Sequence, residues 1–172
     1  MNTEQAINSF LENEERRAFR IAQISTGSVD EALDIIQDAM IKFVEKYSHK
    51  PESEWKPLFY RIVNSRITDW YRRRKVKAGV LYFTGVDASL EPGISRVPGP
   101  ERQLHTDSAI ERLEFALRML PLRQQQAVMH RLWDGMDTRD TAIAMGISMG
   151  SVKTHYSRAL KALQEQLGDH WP

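Results

Sequence analysis

The polar residues best suited to binding chemistry lie in the stretch 146–163, which reads GISMGSVKTHYSRALKAL. At about 100° per residue, its apolar positions fall in one narrow sector of a helix, so that sector is expected to pack on the protein. The apolar positions are Val152, Tyr156, Ala159 and Leu163, and the opposite positions are Thr154, Ser157, Arg158 and Lys161. Hydroxyls donate hydrogen bonds and cations neutralise phosphates, so this outward face suits a polyanion such as DNA.

A helix-turn-helix is the arrangement that the flanking residues predict for this helix. Ser148 can cap its N-terminus, and Gly146 provides the backbone freedom for a sharp turn from a preceding helix over 137–145. Asp137 is expected to cap that preceding helix, with Asp140 in its third position. The alternative is a basic surface helix that contacts only water. The turn, together with the spacing of the residues around it, favours the DNA-binding interpretation.

A second polar face lies on a predicted helix that begins near Trp55 and runs into the basic stretch YRRRKVK. The residues opposite its apolar side can contact bases or phosphates: Arg61, Asn64, Ser65, Thr68, Arg72 and Lys75. Tyr60 and Tyr71 flank this face, where aromatic rings could stack on unpaired bases. For single aromatic residues of this helix, packing in a core is the favoured interpretation.

The elements that must position these faces are almost all helical. Apolar residues spaced by three and four predict a long first helix over 7–22 and a second helix over 29–47. With the helix that begins near Trp55 they are expected to form one bundle. Four glycines and three prolines in residues 76–106 predict an irregular linker.

A second, smaller bundle is predicted after the linker. Asp107 is expected to cap a helix that bears Ile110, Leu113, Leu117 and Leu120, and Pro121 to open another that bears Val128, Met129 and Leu132. The helix-turn-helix completes this bundle. The predicted fold is therefore all-α, with helical domains over 1–75 and 107–172 joined by the linker 76–106.

Composition excludes several classes of protein. The chain of 172 residues has no cysteine and a formal net charge of +1, so disulfides and thiolate metal sites are excluded. The charges are unevenly distributed along the chain. Residues 1–54 carry six basic and eleven acidic side chains, whereas residues 61–77 carry seven basic side chains and one acidic side chain. No membrane span or signal peptide is apparent, which makes the cytoplasm the expected compartment.

Enzymatic chemistry finds little support in the sequence. The five histidines show no metal-ligand spacing, and no glycine-rich phosphate loop or nucleophile motif is present. No cofactor, metal or catalytic residue is therefore expected. Two rival interpretations are a nuclease, for which the scattered carboxylates offer no paired metal site, and a dimeric repressor with a helical sensor domain, which would bind its operator without a polymerase.

Four stretches in order carry a family resemblance: DEALDIIQDAMIKF, PLFYRIVNSRITDWYRRRK, LPLRQQQAV and GISMGSVKTHYSRALKAL. Together they resemble the extracytoplasmic-function sigma factors of bacterial RNA polymerase, in the sigma-70 family. The resemblance covers almost the whole chain outside the linker. A response-regulator output domain does not account for the first half.

The resemblance implies three binding surfaces. The second helix is expected to dock on a basic coiled coil of the largest polymerase subunit through Asp34, Gln37, Asp38, Ile41 and Glu45. The stretch 48–56 and the next helix are expected to open and read the minus-ten promoter element through Arg61, Asn64, Ser65, Thr68 and Arg72. The recognition helix is expected to read the minus-thirty-five duplex through Ser151, Lys153, Thr154, His155 and Arg158.

The resemblance also implies further partners. The polymerase flap is a second expected contact, and an anti-sigma factor that sequesters the protein at the membrane is a third.

A linker of this length extends to about 100 Å, whereas two turns of B-DNA span about 70 Å. Both promoter elements are therefore within reach of one chain.

Two departures from the family pattern bear on these roles. The sequence RIVNS stands where the family commonly has RIARN, so the asparagine comes one residue early and either Asn64 or Ser65 is the expected base reader. Thr141 and Ile143 replace a common isoleucine and glutamate in the first helix of the helix-turn-helix. The packing of that helix is left open by the sequence.

Overall fold

The structure is a computed structural model that describes residues 2–77 and 108–170, with side chains for 2–76 and 108–169. Within these ranges the secondary structure is entirely helical. The α-helices are α1 (Thr3–Thr26), α2 (Val29–Tyr47), α3 (Glu52–Lys77), α4 (Ala109–Met119), α5 (Leu122–Val128), α6 (Thr138–Met145) and α7 (Met149–Leu167). The predicted all-α fold class is confirmed.

The ends of the first helices follow local rules. Gly27 ends α1 with φ +72°, a left-handed conformation that glycine adopts without a steric penalty. Ser28 then caps α2 by accepting a hydrogen bond from the backbone N–H of Glu31. The predicted span of α2, residues 29–47, is confirmed at both ends.

The boundary with the predicted linker differs slightly from expectation. Residues 76 and 77 belong to α3, because the helix continues through the basic stretch. Ser108 caps α4 and accepts a hydrogen bond from the backbone N–H of Glu111, so the helix begins at Ala109. Asp107, which was expected to be the cap, and residues 78–106 lie outside the described residues.

An aromatic cluster holds the N-terminal unit, α1 to α3, together. The ring of Phe10 on α1 lies 5.6 Å from that of Trp55 and 5.9 Å from that of Phe59 on α3, and Phe43 on α2 lies 5.8 Å from Phe59. The close packing of these rings stabilises the bundle through burial and edge-to-face contacts. The prediction that the aromatic residues of α3 form a core is confirmed.

Tyr60 and Tyr71 belong to the same interior. Both side chains are buried. The hydroxyl of Tyr71 donates a hydrogen bond to the carbonyl of Ser25, and the hydroxyl of Tyr60 donates one to Glu14. Neither ring is therefore available to stack on an unpaired base in this arrangement, which corrects that expectation.

The C-terminal unit, α4 to α7, contains a π-helical segment between α5 and α6. This segment, Met129–Trp133, continues α5 directly. The backbone N–H of Asp134 bonds to the carbonyl of Met129, five residues earlier, with an N···O distance of 3.1 Å. A helix with an extra residue in its turn is uncommon and often marks a functional position.

The two units pack on each other, with α3 of the first against α6 of the second. Their buried apolar residues form one continuous cluster. A second contact joins α1 to α5, where the Ser25 hydroxyl donates to the Gln125 side-chain oxygen at 2.8 Å. This packing places the polar face of α3 against the end of α6 and beside the start of α7.

Candidate nucleic-acid interface

The helix-turn-helix forms through the caps that the sequence predicts. The Asp137 side chain accepts from the backbone N–H of Asp140 at 2.7 Å, and Ser148 accepts from that of Ser151 at 3.1 Å. Between these caps, Gly146 adopts φ +66°. A residue with a Cβ is strained in this conformation, so glycine allows α7 to leave α6 sharply.

The first turn of α6 carries two carboxylates close together. Burial raises the pKa of Asp140 above its ordinary value, and the neighbouring Asp137 carboxylate acts in the same direction. Thr141, whose role the sequence left open, is fully buried, and Ile143 is half-buried. The substituted positions of α6 therefore serve its packing.

The recognition helix α7 presents its polar face to solvent as predicted. Val152, Ala159 and Leu163 are buried, which fixes the rotation of the helix about its axis. Exposed positions on the other side include Lys153, Thr154, Ser157, Arg158 and Lys161. Ser151 and His155 are half-buried at the edge of this face.

The outward face of α3 is only partly accessible. Arg61, Ser65 and Arg72 are exposed, and Thr68 is half-buried. They line a cleft of about 180 Å³ between α3 and the end of α6, which Arg123 and Gly146 close on the other side. All five residues predicted for the minus-ten element, Asn64 included, therefore line one cleft.

Asn64 is the least accessible of the five, because it is only 3% exposed. Its side-chain nitrogen lies 2.9 Å from the carbonyl oxygen of Ala144 in α6 and 2.8 Å from Nε2 of His130. The residue thus contacts the C-terminal unit and cannot reach a base in this arrangement. Ser65, the alternative reader, remains exposed.

Sequence reasoning considered His130 only as a metal ligand and missed its place in this contact. It is fully buried, and its Nδ1 lies 3.0 Å from Oδ2 of Asp134. Its ring stacks edge to face on Tyr60 of α3 with centroids 5.2 Å apart. A pair of residues separated by 66 positions, such as Asn64 and His130, leaves no periodic signal in the sequence.

Charged residues surround this contact. The Glu14 carboxylate accepts from the Tyr60 hydroxyl at 2.8 Å and lies 3.7 Å from the Lys56 ammonium. Arg17 Nε lies 3.3 Å from Oδ1 of Asp134. Burial raises the pKa of Tyr60 far above its ordinary range, and the carboxylates of Asp134 and Glu14 add to this effect.

The predicted docking surface on α2 is accessible. Ile41 is 53% exposed, and Asp34 and Gln37 are exposed beside it. Asp38 is half-buried and forms an ion pair with Arg66 of α3. Leu33, 54% exposed and four residues before Gln37, extends the apolar part of this surface and was missed because its exposure depends on how α2 packs.

Other kinds of site find no support among the described residues. No group of three histidine, aspartate or glutamate side chains lies close enough to hold a metal ion there. Within the same ranges, none of the helices has both the length and the apolar character needed to cross a membrane. The fold and surfaces define a helical protein with a helix-turn-helix and two polar faces that carry basic side chains.

Comparison with known proteins narrows this class. Residues 10–76 match the family model for sigma-70 region 2, and residues 110–163 match that for sigma-70 region 4. The chain is 30% identical over 139 residues to an RNA polymerase sigma-E factor of Streptomyces avermitilis, covering 80% of this chain and 71% of the relative. It is 28% identical over 164 residues to the ECF RNA polymerase sigma factor SigM of Mycobacterium tuberculosis, covering 95% and 78%.

Solved structures share the fold. The structure of the sigma factor RpoE in complex with the anti-sigma factor NepR from Bartonella quintana matches with a TM-score of 0.70 at 21% identity, covering 95% of this chain and 97% of that chain. The structure of CnrH in complex with the cytosolic domain of CnrY matches with a TM-score of 0.63 at 16% identity, covering 96% and 90%. The chain belongs to the sigma-70 family and is an RNA polymerase sigma factor of the extracytoplasmic-function type. Proteins of this type direct core polymerase to promoters and help to open the DNA.

Proposed function

We propose that this sigma factor acts through three separate surfaces, one for the polymerase and two for the promoter. The observation that carries the proposal is the orientation of α7, whose buried Val152 and Ala159 turn Lys153, Thr154 and Arg158 outward. A helix that follows a capped turn and exposes such residues can enter the major groove and reach base edges. In this role α7 reads the minus-thirty-five duplex, with Ser151 and His155 at the rim of the contact.

The polymerase surface is α2. Ile41 and Leu33 offer exposed apolar area, and Asp34 with Gln37 surrounds it with acidic and amide groups. Apolar anchors ringed by acidic side chains fit a basic coiled coil, because charge complementarity guides encounter and the apolar residues hold the complex. A second polymerase contact, with the flap, is assigned to the C-terminal unit, where α4 exposes Ile110 and Leu113.

The minus-ten surface is the face of α3, together with the stretch 48–56. Ser65 and Thr68 can hydrogen-bond the edges of extruded bases, and Arg61 with Arg72 can neutralise phosphates. Asn64 joins this set only when the C-terminal unit moves away from α3, because it is buried while the two units are in contact.

An anti-sigma factor is the proposed inhibitory partner. The solved structure of a sigma factor with this fold contains one, and the exposed apolar residues of α2 offer a surface that such a partner would cover. The cytoplasm is the proposed compartment, since core polymerase and promoter DNA are the proposed partners. Sequestration at the membrane would then depend on the anti-sigma factor.

Run-off transcription with core polymerase on genomic fragments tests the function as a whole. The purified chain is expected to direct transcripts from a small set of start sites that core polymerase alone does not use. A gel shift without polymerase gives the contrast, because a dimeric repressor would bind its operator alone. Tight sequence-specific binding without core enzyme, combined with no new transcript, would contradict the proposal.

A further inference from the structure

Gly150 lies in the first turn of α7, at an exposed position. Its backbone is helical, and a Cβ at this position would lie 3.9 Å from the hydroxyl oxygen of Ser148, an ordinary van der Waals contact. The other four glycines within residues 2–77 and 108–170 have φ between +51° and +72°, a region that glycine favours: Gly27, Gly135, Gly146 and Gly168. Neither the backbone nor the packing of the protein therefore requires a glycine at position 150.

A glycine that the fold does not require still has a cost. In a helix, glycine is less favourable than alanine because it loses more backbone freedom on folding. What glycine provides in exchange is space, since another molecule can approach the helix backbone more closely where no side chain projects. On the helix that is proposed to read DNA, the duplex is the molecule that would use this space.

The hydroxyl of Thr154 is held by the same residue. Its Oγ1 donates a hydrogen bond to the carbonyl oxygen of Gly150 at 3.1 Å. Gly150 and Thr154 each lie two residues from the buried Val152, or about 200° around the helix axis, so both face away from the protein. A hydroxyl has one hydrogen, which this bond uses, and two lone pairs, which remain able to accept. Toward the outside, Thr154 therefore presents an acceptor.

We propose that Gly150 and Thr154 form a specificity-determining pair within the duplex reader. Gly150 admits the major-groove edge of the duplex close to the backbone of α7, and Thr154 accepts a hydrogen bond from the exocyclic amino group of a base. In the major groove, adenine N6 and cytosine N4 are the amino groups, whereas guanine and thymine present acceptor oxygens. The pair thus selects adenine or cytosine on the strand that Thr154 faces, at one position of the minus-thirty-five element. This inference rests on the proposed function, because α7 must be the duplex reader.

Gly150→Ala tests the close approach. Its melting temperature is expected to equal or slightly exceed that of the wild type, because alanine is the better helix former. Holoenzyme reconstituted with this variant is expected to bind a promoter found by run-off transcription about fivefold more weakly, and Gly150→Leu more than about tenfold, because the added side chain displaces groove contacts. Gly27→Ala at the end of α1, where φ is +72°, is the matched control. It is expected to lower the melting temperature and to leave the promoter affinity of the folded protein unchanged.

Thr154→Val tests the hydrogen bond, because valine keeps the shape of threonine and removes the hydroxyl. Promoter duplexes carry one base analogue that lacks the amino group, either purine in place of adenine or pyrimidin-2-one in place of cytosine. At one position, wild-type holoenzyme is expected to bind the analogue about threefold to tenfold more weakly than the natural base. Thr154→Val is expected to bind both equally, and this comparison removes any effect of the analogue on the duplex itself. Ser157→Ala, which removes another exposed hydroxyl of α7, is the control and is expected to keep the analogue penalty.

The pair stands only if both tests succeed. Wild-type promoter affinity in Gly150→Ala, or a fall in its melting temperature as large as that of Gly27→Ala, overturns the close approach. An analogue penalty that is absent from the wild type, or that persists in Thr154→Val, overturns the reading of an amino group.

Arg158→Ala distinguishes a failure of this inference from a failure of the proposed function. If Arg158→Ala weakens promoter binding while the tests at Gly150 and Thr154 fail, α7 is the duplex reader and the inference about the pair is wrong. If Arg158→Ala also binds with wild-type affinity and salt dependence, the proposed role of α7 fails together with the pair.

Discussion

Arg66 of α3 forms an ion pair with Asp38 of α2, and this pair joins the proposed polymerase-docking helix to the helix proposed to read the minus-ten element. The same guanidinium lies 3.8 Å from Asp69 on its own helix. Partly exposed ion pairs contribute little to stability. The pair links the two surfaces at one point, and the packing of α2 on α3 places the docking surface relative to the face of α3.

The docking surface predicts a loss of polymerase binding on charge reversal. The Asp34→Lys, Asp38→Lys variant is expected to bind core polymerase at least about tenfold more weakly, because lysines would repel a basic coiled coil. Glu12→Lys with Glu15→Lys on α1, both exposed, is the charge-matched control and is expected to bind normally. Fluorescence anisotropy of labelled protein titrated with core enzyme measures the difference, and equal affinities for the two variants would contradict the docking assignment.

The recognition helix predicts a defined effect of Arg158→Ala. If the guanidinium reads a base, binding to a minus-thirty-five duplex weakens by about 1 to 3 kcal/mol and selectivity relaxes at one position. If it binds phosphate, the slope of log affinity against log salt falls by about one. Lys161→Ala, one turn further along the exposed side of α7, is the control for loss of a charge alone. Wild-type affinity and salt slope for Arg158→Ala would show that this face lies outside the groove.

The face of α3 predicts two kinds of failure in promoter opening. Ser65→Ala combined with Asn64→Ala is expected to leave polymerase binding nearly intact but to reduce strand opening and relax preference at one or two minus-ten positions. Arg72→Ala with Arg73→Ala is expected to weaken all promoters alike and flatten the salt dependence. Arg74 is left in place because its guanidinium lies 4.9 Å from the centre of the Trp70 ring and serves packing.

Permanganate footprinting of unpaired thymines on matched promoter variants separates these two effects. The readout needs a promoter found by run-off transcription, with single base changes in the minus-ten element. Complete and still sequence-selective melting by the Asn64, Ser65 double variant would rule out this face as the reader.

The buried hydroxyl of Tyr60 predicts a dependence of stability on alkaline pH. Its pKa is raised in the folded protein, so the unfolded chain loses this proton first as the pH rises through about 10. Its contribution is therefore complete below that pH and is lost progressively above it. Tyr60→Phe is expected to lower the free energy of unfolding by about 1 to 2 kcal/mol at pH 7, because Glu14 loses a hydrogen bond.

Urea unfolding at pH 7 and pH 10.5 measures this effect. The loss of stability between the two pH values is expected to be smaller in Tyr60→Phe than in the wild type. Tyr156→Phe, on the partly exposed side of α7, is the control for removal of one hydroxyl. Equal losses in the wild type and Tyr60→Phe would contradict the buried position of this hydroxyl.

Local signals were sufficient for most helices and for the helix-turn-helix. The apolar spacing of α2 predicted both of its ends correctly. The caps Asp137 and Ser148, with Gly146 between them, were also predicted correctly, because each of these residues acts within a few residues of its own position. The order of the family motifs then gave the function. Such features depend on local chemistry and hardly at all on how the units pack.

The interior of the candidate site could not be read in the same way. The face of α3 was drawn as one polar surface, yet Asn64 on it is buried against Ala144 and His130. Periodicity assigns a residue to a face of its helix but does not say which other helix covers that face. His130 and Asp134 had no sequence signal either, because their charged neighbours belong to α1 and α3.

The π-helical turn after α5 has a consequence for the whole C-terminal unit. The extra residue of this turn is marked by the hydrogen bond from the backbone N–H of Asp134 to the carbonyl of Met129. It sets the direction, around the helix axis, in which the chain leaves α5. Removal of one residue there would rotate everything that follows by about 100°. Asp134 would leave Arg17, α6 would present another side to α3, and the recognition helix would point elsewhere. A single inserted residue thus acts as a spacer that aims the DNA-reading end of the molecule.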